Sequence, residues 1–277
     1  MQAFPRYQHM SPDFWALVKF LSQTIGYTQN KAIRVYSEEE VYELLREKGL
    51  IIDPELIKDV TAYCHLRAAT LNEIVQFNLM DLDAVKTAFE PLHILHQEHN
   101  YLCNLPMNKQ KGDKRNVAFF TAIINILAEK TIRESHNYNG TKGFNDNPKT
   151  LIYVYDKNHH LVGASSRIVD GIYPDTKFNP KIVWEIKEYY YTTSFGSRVA
   201  DGVYETQLDG YELSDISHRS GNPIKHVLFI DGYRTWWQDG KSYLCRIFDI
   251  LHAGLVDEVI FGREVLTRWP EVLRSVM

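Results

Sequence analysis

Apolar positions in the first third of the chain recur at helical spacing. Phe14, Leu17, Val18 and Leu21 share one face of a predicted helix, and Ser37-Glu38-Glu39-Glu40 has the form of a capping box opening a second helix through Val41, Leu44 and Leu45. Pro54 with Leu56 and Ile57 starts a third, and Asp81 to Phe89 suggests a fourth. Between residues 10 and 100 nothing alternates as a strand would. The pattern changes after Pro106. A polar, lysine-rich connection over 107–116 leads into an apolar helix from Val117 to about Arg133, and a Gly/Asn-rich loop fills 137–148. Alternation then takes over: Leu151 to Tyr155 and Leu161 to about Ser165 flank a turn at Asp156–His160, while Ile168 to Tyr173 and Lys181 to Tyr190 flank a turn with Pro174 and Pro180 at its ends. Helix returns around Arg198–Leu213, a short apolar strand covers His226–Ile230, and Lys241–Leu255 is amphipathic. Val256–Phe261 reads as a strand before a short helix near Trp269. This order predicts a mixed α/β core over 107–277 behind a helical N-terminal region, 1–106.

Composition narrows the function classes. A chain of 277 residues can bury a sizeable core, and its formal charge of −4 argues against a protein that coats nucleic acid passively, which would be basic. An enzyme with a local basic cleft around an acidic metal site stays open. Its 17 Tyr, 13 Phe and 5 Trp suit either a base-stacking surface or an aromatic core. Cys64, Cys103 and Cys245 lie far apart, with no partner at metal-ligand spacing and no disulfide framework. Together with the lack of a signal-peptide pattern or a run of membrane-spanning length, they predict a cytoplasmic protein without a membrane segment.

The chemistry concentrates in residues 167–190. Residues two apart on a strand share a face, so Val183, Glu185 and Lys187 point one way, while Ile182, Trp184 and Ile186 point into a predicted core. The Cα atoms of Glu185 and Lys187 would lie about 6–7 Å apart. A hairpin turn centred near Lys177 sets Asp170 roughly opposite Glu185, and pairing geometry prefers it to Asp175, which would fall in the turn. Two converging carboxylates repel unless a cation lies between them. Hard oxygen ligands suit Mg²⁺, and Lys187 could orient or deprotonate a water and stabilise charge developing on phosphorus. A bare Glu-x-Lys on a strand is more often a salt-bridged surface pair; the aspartate at hairpin distance and the apolar opposite face argue for chemistry.

With Asp170, a gap, and then Glu185-Ile186-Lys187, the chain resembles the PD-(D/E)XK nuclease superfamily, type II restriction endonucleases in particular. The resemblance covers roughly residues 115–265. The proline usual before the first aspartate is absent, Val169 standing there, whereas Pro174-Asp175 supplies a literal Pro-Asp and keeps Asp175 as an alternative. The resemblance implies a restriction-endonuclease-like core, a central mixed β-sheet flanked by helices. It also implies a catalytic set of Asp170, Glu185 and Lys187, with Asp170 and Glu185 holding Mg²⁺. Glu129 on the preceding helix (with Glu134 as rival) matches an accessory metal-binding glutamate. Gln207, in a Gln-x-x-x-Tyr pattern with Tyr211, matches an accessory residue better known in repair nucleases. Three segments are expected to supply DNA contacts: Lys109, Lys111, Lys114 and Arg115 before the core helix; Asn139, Lys142 and Asn145 in the 137–148 loop, with Asn137 and Asn147; and Arg219 and Asn222 after the Gln207 helix. Adjacent His159 and His160 point apart in a turn and are read as solvated. The expected activity is sequence-specific, Mg²⁺-dependent hydrolysis of double-stranded DNA by a homodimer. A structure- or damage-directed nuclease and a non-catalytic DNA-binding module are the alternatives.

Overall fold

A computed structural model describes residues 1–109, 115–136, 138–191 and 197–277. Side-chain caps and proline starts fix the N-terminal helices, as their sequences require. Ser11 accepts from Phe14 N at the head of α1 (Pro12–Thr24). The chain then makes a hairpin of β1 (Thr28–Gln29) and β2 (Ala32–Ile33), turning through Asn30 and Lys31, both at positive φ. Its two-residue strands are too short to alternate, which is why the hydrophobic pattern shows none. Ser37 caps α2 (Glu38–Glu47) through Glu40 N, and Asp53 caps α3 (Pro54–Thr70). A π-turn and the short α4 (Gln76–Asn78) extend it toward Asp81, which caps α5 (Leu82–Glu98). That helix continues through Pro91 and beyond its expected end at Phe89.

The remainder follows the expected order. It comprises α6 (Phe119–Arg133), a hairpin of β3 (Tyr153–Tyr155) and β4 (Leu161–Ala164), β5 (Gly171–Tyr173), β6 (Ile182–Glu188), α7 (Ser197–Ser220), β7 (Lys225–Asp231), α8 (Lys241–His252), β8 (Glu258–Phe261) and α9 (Val265–Arg274). The described residues thus form an α/β fold of nine helices around a four-stranded mixed sheet, with two small antiparallel pairs beside it. Strand order is β5-β6-β7-β8; β5 runs antiparallel to β6, and β6, β7 and β8 are parallel. Asn145 forms an antiparallel bridge with Ile172 on the outer edge of β5. No helix among the described residues is long and apolar enough to cross a membrane.

Alternating strand residues feed two layers. Ile182, Trp184, Val227, Phe229 and Ile260 pack with apolar residues of α5, α6 and α9, and with Cys103. Leu228, Ile230, Val259 and Phe261 pack on the opposite face with α1, α3 and α8, a cluster that holds Cys64 and Cys245. A smaller cluster joins Val183 and Ile172 to β3 and the C-terminal half of α7. All three cysteines are free and buried. Each fully buried aromatic such as Trp184 removes roughly 200 Å² from water, on the order of 5 kcal/mol before entropy is counted. The boundary expected at 106 falls inside the second cluster, because α5 packs on α6, and the N-terminal helices share a core with α8.

Candidate active site

Register on β6 builds the site. Gly171 pairs with Trp184, where the ladder ends, and Asp170 N donates to Trp184 O at 3.1 Å, which holds Asp170 beside the Glu185 stretch of β6. Only glycine fits at 171, because a Cβ there would lie 2.0 Å from Trp184 Cε2. Asp170 is exposed, and its Oδ2 accepts from Ile186 N at 2.7 Å, which fixes the carboxylate against the catalytic-type strand. Asp175 lies exposed in the β5–β6 turn, away from Glu185 at the other end of the pairing. Of the two aspartates, Asp170 is the one bonded to β6 near Glu185.

Glu185 and Lys187 are 3 % and 8 % exposed, on the face opposite Trp184. Lys187 Nζ donates to Glu185 Oε2 at 3.2 Å and to Glu205 Oε2 at 3.4 Å. α7 can pass this close because Gly202 lies over the lysine stem; a Cβ at 202 would touch Lys187 Cδ and Cε at 3.4 Å. Arg167 joins the cluster, 2.9 Å from Glu205 and 3.5 Å from Asp209. Burial, reinforced by the charge of Asp170 and partly offset by Lys187, pushes the Glu185 carboxyl up to about 7. Burial alone would lower Lys187, but Glu185, Asp170 and Glu205 outweigh it and hold the ammonium protonated, above the ordinary lysine range.

Glu185 Oε1 is buried without a hydrogen-bond partner. Such an atom costs on the order of 1–3 kcal/mol unless something satisfies it. The cluster also carries more negative than positive charge, with Asp170, Glu185, Glu205 and Asp209 against Lys187 and Arg167. Both features suit a divalent cation held by Asp170 and Glu185. No group of three or more His, Cys, Asp or Glu is placed to hold a metal among the described residues. Asp170 and Glu185 would supply two carboxylates to such an ion and leave its remaining positions to water and substrate, as Mg²⁺ allows.

Other expected positions lie elsewhere. Glu129 is fully buried on α6, on the Trp184 side of the sheet; it accepts from Leu102 N and Cys103 N and pairs with Arg133. Its carboxylate anchors the segment after α5 and is not part of the Asp170–Lys187 cluster. Its rival Glu134 pairs with Lys130 at the helix end. Gln207 is two residues from Glu205 and so about 200° around α7 from the face that meets Lys187. Tyr211, its expected companion, is exposed. Arg167, Glu205 and Asp209, absent from the sequence-derived set, occupy the place instead. The one available sequence signal was the helical spacing of Glu205 and Asp209.

Five of the expected DNA-contact residues are engaged within the chain. Lys142 pairs with Asp146 at 2.5 Å, Asn139 caps Thr141 N, and Asn145 pairs with the edge of β5. Arg219 bonds Asp215 and Val162 O, and Asn222 donates to Tyr155 O, so both tie the β3–β4 hairpin to the end of α7. Lys109 and Arg115 are exposed. Lys111, Lys114 and Asn137 lie outside the described residues. His159 and His160 are exposed in the turn, as expected.

No curated protein and no solved structure matches the chain. Residues 1–74 match a second family model, described as Domain of unknown function (DUF7690). Residues 80–276, which carry α5, α6, the whole mixed sheet and every residue of the Asp170–Lys187 cluster, match the model described as Domain of unknown function (DUF7687), and the chain belongs to that family.

Proposed function

We propose that this protein is a Mg²⁺-dependent nuclease of the PD-(D/E)XK kind, hydrolysing phosphodiester bonds at Asp170, Glu185 and Lys187. The observation that carries the reading is the pairing of Lys187 Nζ with Glu185 Oε2 at 3.2 Å within reach of the Asp170 charge, with Glu185 Oε1 left unpartnered. The order of elements supports it as well. A helix precedes the antiparallel Asn145–β5–β6 arrangement, the aspartate stands at the start of the middle strand, the Glu-x-Lys lies on the next, and α7 crosses to a parallel neighbour. That succession is what a restriction-endonuclease-like core would require.

Asp170 and Glu185 would hold the ion, which when bound supplies Lewis-acid chemistry at the phosphate and a more acidic water. Lys187 keeps its proton and presents a fixed positive charge to the phosphate, held in aim by Glu185 and Glu205. Arg167 restrains Glu205 and Asp209, so that the lysine is not drawn wholly into the acidic face of α7. In this reading the substrate is double-stranded DNA, cut at defined sites by a homodimer that presents one centre to each strand. The alternative of a repair-type nuclease drew on Gln207 and Tyr211, and their placement away from Lys187 removes that support.

The test is digestion of phage DNA with Mg²⁺, with and without chelator. Discrete fragments are expected, together with a fall of about 100- to 1,000-fold in cutting for Lys187→Ala and for Glu185→Gln at nearly unchanged DNA affinity. Intact DNA under every metal condition, or variants that cut like the parent, would overturn the proposal.

A further inference from the structure

A cavity of about 820 Å³ opens at the carboxyl ends of the parallel strands, between the β1–β2 hairpin and the segment that follows β7. Its walls include Tyr27, Lys31, Gln76, Tyr233, Trp237 and Lys241. Behind this lining, buried Gly232 packs against the Tyr189 backbone and buried Trp236 Nε1 donates to Lys187 O at 3.2 Å, which ties the segment after β7 to the end of β6. In open parallel sheets, ligands gather at this end of the strands.

The lining has two chemical halves. Half-buried Tyr27 and Tyr233 offer aromatic surface, whereas Trp237 is buried beneath Lys241. Lys241 lies over the Trp237 ring with its nitrogen 4.7 Å from the centroid and donates to Trp237 O, while Lys31 stands exposed at the tip of the hairpin with no hydrogen bond or ion pair among the described residues. The lone acid of the lining, Asp239, faces Arg234 at 4.0 Å. Lys31 is also held at φ 65°, in the second position of a two-residue turn where glycine would be unstrained. A lysine kept in a backbone conformation that disfavours it, at the rim of an aromatic cavity, is better explained by a ligand than by folding.

We infer that this cavity binds a nucleotide unit, the base against the aromatic wall and the phosphate against Lys31 and Lys241, and that the unit belongs to the strand entering the active site. The second half of the inference rests on the nuclease reading; the nucleotide chemistry does not. The volume suits one or two nucleotides, within the range of ordinary ligand sites. Stacking tolerates any base, so the cavity would add affinity and set the strand's path without reading sequence.

The experiment is fluorescence anisotropy of a labelled oligonucleotide with chelator present, so that nothing is cut. Lys31→Gly should weaken binding roughly five- to tenfold, the loss of about one phosphate contact, while holding or raising the melting temperature because glycine relieves the turn. Tyr233→Ser should weaken binding and Tyr233→Phe should restore it. Wild-type affinity in either Lys31→Gly or Tyr233→Ser overturns the inference. Competition by AMP that Lys31→Gly abolishes, with strand affinity unchanged, assigns the cavity to a free nucleotide and overturns its place on the strand path. Mg²⁺-dependent cutting with Lys31→Gly binding normally leaves the nuclease reading standing and this one fallen. Lys31-dependent binding without cutting does the reverse.

Discussion

Burying Glu185 and Lys187 two residues apart is expensive, since each ion loses its water and their mutual attraction repays only part of the loss. The residual deficit sits on Glu185 Oε1, and the proposed cation would remove it. Millimolar Mg²⁺ should therefore raise the melting temperature of the parent protein and leave that of Glu185→Gln unmoved, as thermal scanning would report. An equal shift in both would separate the ion from this carboxylate. Gly171 makes the arrangement possible one strand away. The Trp184 ring that its missing Cβ accommodates is wedged against Phe144 and Trp269, with centroids at 6.1 and 5.2 Å, and cannot retreat. Gly171→Ala is expected to destabilise by about 3 kcal/mol or more in urea denaturation and to move Asp170 off register.

Elements hold one another through end contacts as much as through faces. The residue before α6, Ala118, offers no side-chain cap, and Glu188 at the end of β6 reaches across to accept from Phe120 N and Thr121 N. Glu188→Ala should cost on the order of 1–2 kcal/mol, read by the denaturation midpoint, and should loosen the first turn of α6 in hydrogen exchange. This long-range cap explains what the sequence could and could not disclose. Strand β6 was legible because Ile182, Trp184 and Ile186 alternate with Glu185 and Lys187, and Asp170 followed by counting back across a turn. Arg167, Glu205 and Asp209 join the site only because α7 folds back over β6, which no local spacing specifies. Glu129 misled for the same reason, since its partners lie 26 and 27 residues away in sequence. The basic residues are a different case. Lys142 and Arg219 were read as DNA contacts although Asp146 and Asp215 stand at helical ion-pair spacing beside them, so their neutralisation was visible in the chain itself.

At the scale of the whole molecule, the two family segments meet around the sheet, and buried titratable groups tie the larger one together. Asp231 at the end of β7 accepts from Met80 N at 2.7 Å and from Gly232 N, holding the start of the larger segment against the sheet. Burial pushes its carboxyl up to about 7, so its contribution to stability declines as pH rises toward that value. His226 works in the opposite sense. Burial lowers it from 6.5 to about 4, so between those values the unfolded chain binds the extra proton and stability falls as pH falls. A shift of that size is on the order of 3 kcal/mol, present in full above pH 6.5. Comparing the parent with His226→Gln isolates it, because Asp231 contributes equally to both. The parent should lose more stability than the variant between pH 7 and 4, and parallel pH profiles would refute the assignment.

The three buried cysteines turn this architecture into its own reporter. Cys64 and Cys245 sit in the layer that joins the N-terminal helices to α8, and Cys103 sits in the layer under α5 and α6. Burial pushes the first two thiols up to about 11 and 12 and raises Cys103 as well, so all three are poor nucleophiles while the fold is closed. A thiol reagent added to the native protein would thus react only through local opening, and mass-resolved labelling would time the two layers separately. Equal rates for Cys103 and Cys64 would mean that both sides of the sheet breathe as one cooperative unit. Unequal rates would show which layer lets go first.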